Sequence, residues 1–143
     1  MKSLTLLLLV VLAAQNIFAQ VDEFPVEKKS AIVDNLTVGI ESDNKGLQTS
    51  AALVLTDLIN EAYLSADDAS DAMIPLLKML RDGKTEEERI AAAVALYQLG
   101  NEIGIYSLRG VAVFDDNQKV ATVCKNLYYT FHKLHGTEYL VSF

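Results

Sequence analysis

Cysteine and histidine side chains near the end of the chain are of types that can bind a metal. His132 and His135 are the two histidines of the sequence, and at positions i and i+3 they share one face of a helix. Cys124, the single cysteine, lies about two helical turns before His132 on a similar face. Thiolate and imidazole are preferred zinc ligands. A complete site would also need Glu138 or a more distant fourth ligand.

The surrounding pattern favours a structural role for Cys124. Val120, Val123 and Leu127 accompany it on an apolar stripe, where a single cysteine is usually a small core residue. A catalytic pair of Cys124 with His132 is disfavoured, because two helical turns separate them by about 12 Å, beyond hydrogen-bond reach. The two histidines suit a helix C-terminus, where the dipole favours cations. We therefore predict no metal site, no cofactor and no catalytic residue.

An acid-rich segment, residues 61–89, carries eight acidic and four basic side chains. It lacks the D-x-D-x-D-G loop with a late glutamate that marks an EF-hand calcium site. Its acids instead gather at two predicted helix starts, around Asp67, Asp68 and Asp71 and around Glu86–Glu88. Acids at such positions cap free amides and complement the helix dipole. We predict this role for them.

Tyrosines are concentrated in the last third of the chain, and exposed tyrosines often anchor protein interfaces. They also pack in helix contacts, with the ring buried and the hydroxyl near water. Tyr128 and Tyr129 are adjacent and point in different directions, so at least one should be partly exposed. The candidate partner-contact residues are Tyr97, Tyr106, Tyr128 and Tyr129.

Composition excludes several classes of protein. The 143 residues are 51% hydrophobic and 22% charged, with two prolines and seven glycines, which argues against a disordered or fibrous chain. A net charge of −7 disfavours nucleic-acid binding, which needs a basic surface. One cysteine excludes a disulfide framework within the chain and a multi-cysteine zinc site. The length allows one domain.

The first residues have the pattern of a secretory signal. Lys2 precedes an apolar run from Leu4 to Ala14, and the small residue Ala19 follows. We expect cleavage after Ala19, which makes residues 1–19 a signal peptide and the protein secreted or periplasmic. Loss of Lys2 takes the net charge to −8. The apolar run is shorter than the roughly 20 residues that cross a bilayer, so we expect no stable membrane span after cleavage.

The mature chain is expected to comprise a leader (residues 20–29), a helical domain (30–136) and a C-terminal tail (137–143). The tail is largely apolar, and we expect it to cover the open face of the last helix pair. Apolar residues at helical spacing, separated by polar turns, predict an all-α fold of six helices. The helices form three pairs: 28–41 with 46–64, 70–81 with 86–99, and 102–114 with 117–135.

The three pairs align loosely as an internal repeat. The first helix of each pair ends in a large apolar residue, and each second helix carries a leucine at a similar place. We expect these two sets to be equivalent positions in the three pairs. The sets are Ile40, Leu80 and Phe114, and Leu55, Leu96 and Leu127.

The middle pair has a proline in its first helix, Pro75, an aspartate in its turn, Asp82, and an arginine early in its alanine-rich second helix, Arg89. That helix ends at Leu99-Gly100. The pattern resembles a HEAT repeat, although the flanking pairs lack the proline and the arginine. The resemblance implies three stacked antiparallel helix pairs in a right-handed solenoid and a protein-interaction role. A compact six-helix bundle is the alternative fold.

The second helix of the middle pair is apolar on every side between Ile90 and Leu96. A helix of this kind should be buried on most sides, as in the centre of a stack. Its alanines would let neighbouring helices approach closely.

These observations lead to a functional expectation. We expect an exported, non-catalytic helical-repeat protein that binds a protein partner. The alternative is a small secreted carrier that binds an apolar ligand or lipid in its core. A carrier should enclose a sizeable apolar cavity, whereas an interaction module should have a filled core and an exposed binding face.

Overall fold

The computed structural model describes residues 25–137. Within this range every regular element is helical, and the described residues contain no strand, which confirms the all-α prediction. A single 3₁₀ turn, Ser70–Ala72, precedes the third α-helix. The six α-helices are α1 (Val26–Ile40), α2 (Lys45–Asn60), α3 (Met73–Asp82), α4 (Glu86–Leu99), α5 (Glu102–Phe114) and α6 (Gln118–Leu134).

The helices pack as three pairs stacked in two layers. Each pair consists of consecutive helices: α1 with α2, α3 with α4, and α5 with α6. Between pairs, α3 contacts both α1 and α5, and α4 contacts both α2 and α6. In the described part of the chain, the first and third pairs share no extensive contact. The odd-numbered helices therefore form one layer and the even-numbered helices the other.

Side-chain caps explain where four of the helices begin. Asn44, Asn101 and Asn117 each accept a hydrogen bond from a backbone amide in the first turn that follows. Thr85 and Glu88 form the predicted capping box at the start of α4. The Thr85 hydroxyl accepts from the Glu88 amide at 3.2 Å, and the Glu88 carboxylate accepts from the Thr85 amide at 2.7 Å.

Two boundaries differ from the prediction by three residues or more. Helix α2 ends at Asn60 instead of continuing to residue 64, because Ala62 adopts a left-handed conformation with φ of 59° and reverses the chain. The amides of Tyr63 and Leu64 both donate to the Leu58 carbonyl, and the reversal buries Leu64 to 2% exposure. The third predicted helix, 70–81, is split into the 3₁₀ turn and α3.

Helix α4 lies at the centre of the stack, as predicted. It packs against α2, α3, α5 and α6. Ala92, Ala93 and Ala95 have no solvent-exposed surface, and neither does Leu96. Small side chains at these positions let α2 and α6 approach α4 closely on opposite sides.

The second helices of the three pairs place similar residues at the same distance from their N-caps. The seventh residue after the cap is always small and buried: Ala51, Ala92 and Cys124. The eleventh is large and buried: Leu55, Leu96 and Tyr128. The expected equivalence of Leu127 was therefore wrong by one position, because α6 begins one residue later relative to the assumed alignment.

Gly39 marks the closest approach within the first pair. A Cβ atom at Gly39 would lie 2.8 Å from the Cβ of Ala51, a distance that side chains do not tolerate without a shift. Gly110, in the middle of α5, has open space where its Cβ would be.

We expect Gly39→Ala to lower the free energy of unfolding by about 1–3 kcal/mol through overpacking. Gly110→Ala should raise it by roughly 0.5–1 kcal/mol, because alanine is the better helix former. Urea denaturation of both variants would check this. Equal effects of the two substitutions would contradict the close contact between α1 and α2.

Candidate functional site

Cys124 lies in the core of the stack with no exposed surface. Burial raises the pKa of its thiol to about 12; Arg89 opposes the shift and Asp115 reinforces it. The thiolate is the nucleophilic and metal-binding form of cysteine, so Cys124 is inert near neutral pH. It has the same structural role as Ala51 and Ala92 in the neighbouring helices.

The two histidines make local contacts at the C-terminal end of α6. Nδ1 of His132 lies 2.7 Å from the Thr137 hydroxyl, and its ring meets the edge of Tyr128 with the ring centroids 4.4 Å apart. Nδ1 of His135 donates to the Phe131 carbonyl at 2.7 Å, and its ring stacks on Phe131. Within residues 25–137, no three His, Cys, Asp or Glu side chains are grouped to hold a metal ion.

The two acid groups of the segment 61–89 differ in what they contact. The group around Asp68 caps neither the 3₁₀ turn nor α3; Asp68 instead accepts from the Ser65 amide and pairs with Lys29 of α1. The second group makes the contacts expected at a helix start. Glu88 is buried, and its carboxylate accepts from the amides of Lys84 and Thr85. Glu86 accepts from the Asn117 side-chain amide at 3.0 Å and lies 3.0 Å from the Lys119 ammonium. These two contacts lower the pKa of Glu86. The segment therefore stabilises turns and joins α4 to α6.

The four candidate tyrosines do not form one surface. Tyr128 is buried among core residues, whereas its neighbour Tyr129 is 39% exposed, so the two point in different directions as expected. Tyr97 and Tyr129 occupy the same position of α4 and α6, twelve residues after the caps, and Tyr97 is half-buried. Tyr106 projects from α5 into solvent with 70% exposure.

A partly buried polar contact joins the second and third pairs. The Arg89 side chain donates through Nε to the Leu80 carbonyl at 2.8 Å and through both terminal nitrogens to the Asp115 carboxylate. About one-seventh of each side chain is exposed. Asp115 also accepts from the Asn117 amide at 2.9 Å. The Arg89 hydrogen bonds lower the pKa of Asp115, and the Asn117 amide adds to this shift.

The first and second pairs lack the matching ion pair. Gln48 stands at the same position of α2 as Arg89 in α4, and it donates to the Ile40 carbonyl at 3.0 Å. The neutral Gln48 side chain cannot form an ion pair with an acid of the next turn. Asp82, in that turn, pairs instead with Arg81 at the surface. An open groove of about 210 Å³ remains here, lined by side chains of both charges.

The outward face of α5 carries four exposed large hydrophobic residues, more than any other described helix. We call it the α5 outer face and define it by four residues that share one side of the helix. Phe114 is 83% exposed, although the equivalent helix-end residues Ile40 and Leu80 are buried. The expected equivalence was therefore wrong for Phe114, since no further helix covers this side of α5 within residues 25–137. The other members are Ile103 (58% exposed), Tyr106 (70%) and Val113 (43%).

Helix α6, the other helix of the last pair, differs from α5 in the character of its exposed residues. Its exposed positions are mostly polar: Thr122, Lys125, Asn126, Thr130 and Lys133. The two helices of the last pair thus differ, because α6 presents a polar surface to water and α5 an apolar one. Sequence reasoning found Tyr106 but missed the rest of the α5 outer face. The available signal was that residues 103–114 are apolar around most of the helix.

No described helix combines the length and the apolar character needed to cross a membrane.

Comparison with known proteins places the chain in no family: no family model matches it, and neither a curated protein nor a solved structure shows significant similarity to it.

We expect Asp115→Asn to lower the free energy of unfolding at pH 7 by about 2 kcal/mol, between the values for exposed and buried ion pairs. The folded-state pKa of Asp115 lies below the ordinary 3.8, so its stabilisation is present above that value and is lost as the pH falls through the folded-state pKa. The difference between wild type and variant should therefore shrink in acid. Asp116→Asn, at the exposed neighbouring residue, is the matched control for urea denaturation. Equal losses in both variants would contradict the Arg89–Asp115 contact.

We expect the stability of the wild type to fall relative to Cys124→Ala at alkaline pH. Because folding raises the thiol pKa, the Cys124 thiol ionises at lower pH in the unfolded chain, near the ordinary value of 9.0, than in the folded protein. The stability that the neutral buried thiol contributes below pH 9.0 is therefore lost as the pH rises. The loss should approach about 1.4 kcal/mol per pH unit. Alanine is a suitable replacement because Ala51 and Ala92 fill the same position. A stability difference that stays constant from pH 8 to 11 would contradict the burial of the thiol.

Proposed function

We propose that this protein is an exported, non-catalytic interaction module of the HEAT-like type, and that it binds a protein partner through the α5 outer face. Residues 1–19, the expected signal peptide, lie outside the described residues. They support a secreted or periplasmic location through their sequence alone.

The observation that carries the proposal is the exposure of Ile103, Tyr106 and Phe114 on one helix face. A helix that is apolar around most of its circumference is normally buried, and α4 shows this in the same protein. Helix α5 has a similar character, but one side of it has no neighbour in the described part of the chain. Contiguous exposed apolar side chains mark interaction sites, and aromatic residues dominate their binding energy.

The packing between the layers supports an interaction module over a carrier. Leu55, Leu76 and Leu96 have no exposed surface, and the alanines of α4 close the space between the layers. The groove of about 210 Å³ is open and has charged walls, and it is smaller than the roughly 300–1,000 Å³ of typical ligand pockets. This filled packing between the layers of the described helices supports the interaction module over the carrier.

Three features support a non-catalytic role. The Cys124 thiol has a pKa of about 12, and both histidines are engaged in local contacts at the end of α6. The buried carboxylate of Glu88 is bound to two backbone amides. Each of these four side chains thus has a structural task.

The test is capture of a partner from the envelope or secretion fraction by the full chain and by charge variants. Tyr106→Asp places a charge in the α5 outer face, whereas Asn126→Asp adds the same charge at an exposed position of α6. We expect Tyr106→Asp to reduce recovery of a partner by about tenfold, as for loss of an interface anchor, and Asn126→Asp to leave it unchanged.

Circular dichroism would verify that both variants are folded. Equal recovery by wild type and Tyr106→Asp would contradict binding at α5. A lipid released in stoichiometric amount on solvent extraction would contradict the interaction module and support the carrier.

A further inference from the structure

The outward side of the first pair corresponds to a buried surface of the second pair. Ala95 and Gln98 share the face of α4 that lies toward α2, where the Gln98 side chain donates a hydrogen bond to the Asn60 side chain. Val54 of α2 corresponds to Ala95, since both lie ten residues after the N-cap. Ala95 is completely buried, whereas Val54 and Leu47, on the same face of α2, are exposed. The first pair therefore presents to solvent the surface with which the second pair contacts the pair before it.

The last pair presents the opposite surface, with which an earlier pair contacts the pair after it. Ile40 and Leu80 end the first helices of pairs that another pair follows, and both are buried. Phe114 ends α5 in the same way but is exposed on the α5 outer face. On α6, Lys133 lies sixteen residues after the N-cap, as Asn60 does on α2. The two ends of the stack thus carry the two sides of a contact that already occurs within it.

The exposed charges on the second helices at the two ends are opposite. Asp57 lies thirteen residues after the N-cap of α2, the position that Gln98 has in α4, and Glu61 follows it on the same side. At the other end, α6 exposes Lys125 and Lys133. If one copy continued the stack of another, the Gln98 contact would be replaced by Asp57 of one copy against Lys133 of the preceding copy. Opposite charges favour this meeting of unlike ends and disfavour the meeting of like ends.

The size of the two ends sets the strength of such a contact. Each end consists of two helix faces of about 20 Å by 10 Å, or roughly 400 Å² per copy. A stable interface buries about 800 Å² on each partner, so the association should be weak. Lys125 also lies eight residues after the N-cap, where α2 and α4 have the buried residues Ala52 and Ala93. Two copies therefore cannot approach as closely as the pairs within one chain.

We propose that copies of this protein associate head to tail, with the last pair of one copy packed on the first pair of the next. Such an association is open-ended, because unlike surfaces meet and every added copy leaves one end of each kind. It rests on the proposed function, since it identifies the partner of the α5 outer face as a second copy of the chain. The tail expected to cover the last pair, residues 137–143, lies outside the described residues apart from Thr137.

The first measurement is sedimentation equilibrium of the purified protein at increasing concentration. At low salt we expect the weight-average mass to rise by about 50% or more between about 10 μM and 1 mM, as for a weak interface. An ionic strength of about 0.5 M should lower the association constant about tenfold, because salt screens exposed ion pairs. A protein that stays monomeric over this range would overturn the proposal. Capture of a different protein, lost in Tyr106→Asp, would in that case still support the proposed function.

The second measurement tests the register by charge reversal. Lys133→Glu and Asp57→Lys each place like charges against each other in the contact, so we expect each variant alone to associate about tenfold more weakly than the wild type. In an equimolar mixture of the two variants, contacts between unlike variants pair opposite charges, and we expect the association to recover. Lys84→Glu makes the same charge change at an exposed position of the second pair and should have no effect.

Recovery in the mixture would also show that both variants are folded. A mixture that associates as weakly as its components would overturn the proposal. An effect of Lys133→Glu without any effect of Asp57→Lys would overturn it as well, and would assign the contact to two like ends.

Discussion

The packing of α4 between α2 and α6 is the contact on which the rest of the structure depends. Ala92, Ala93 and Ala95 have no exposed surface and leave room for the neighbouring helices to approach. Removal of this apolar area from water is worth roughly 25 cal/mol per Å², and it occurs on both sides of the helix at once. The first and third pairs share no extensive contact in the described part, so α3 and α4 hold the stack together.

The second helix of each pair buries residues at the same positions, whereas the polar contacts between pairs differ. A small residue seven positions after the cap and a large one eleven positions after it recur in all three, so Cys124 and Tyr128 are core residues for the same reason as Ala92 and Leu96. The polar contact between pairs recurs only in part, because Arg89 reaches Asp115 and Gln48 has no equivalent charge. In the described part of the chain no further helix packs on the last pair, and the α5 outer face is exposed there.

Local signals in the sequence were sufficient to place the helices. Caps such as Thr85 with Glu88, and polar turns between apolar stripes, located most helix ends within three residues. The end of α2 was missed because burial of Leu64 requires Ala62 in a conformation that no local pattern indicates. The α5 outer face was missed for a different reason. The distribution of apolar residues identifies helices that prefer burial, but α4 and α5 are alike by this measure. Their different places in the stack make α4 buried and one side of α5 exposed.

The central claim, that α4 is the buried centre of three stacked pairs, is tested most directly by native-state hydrogen exchange of its amides. We expect Ala92, Ala93 and Leu96 to exchange only through global unfolding, with the free energy measured by urea denaturation. The amide of Ala31, on the exposed side of α1, should exchange through smaller local openings of lower free energy. Exchange of the α4 amides at the rate of Ala31 would contradict the account.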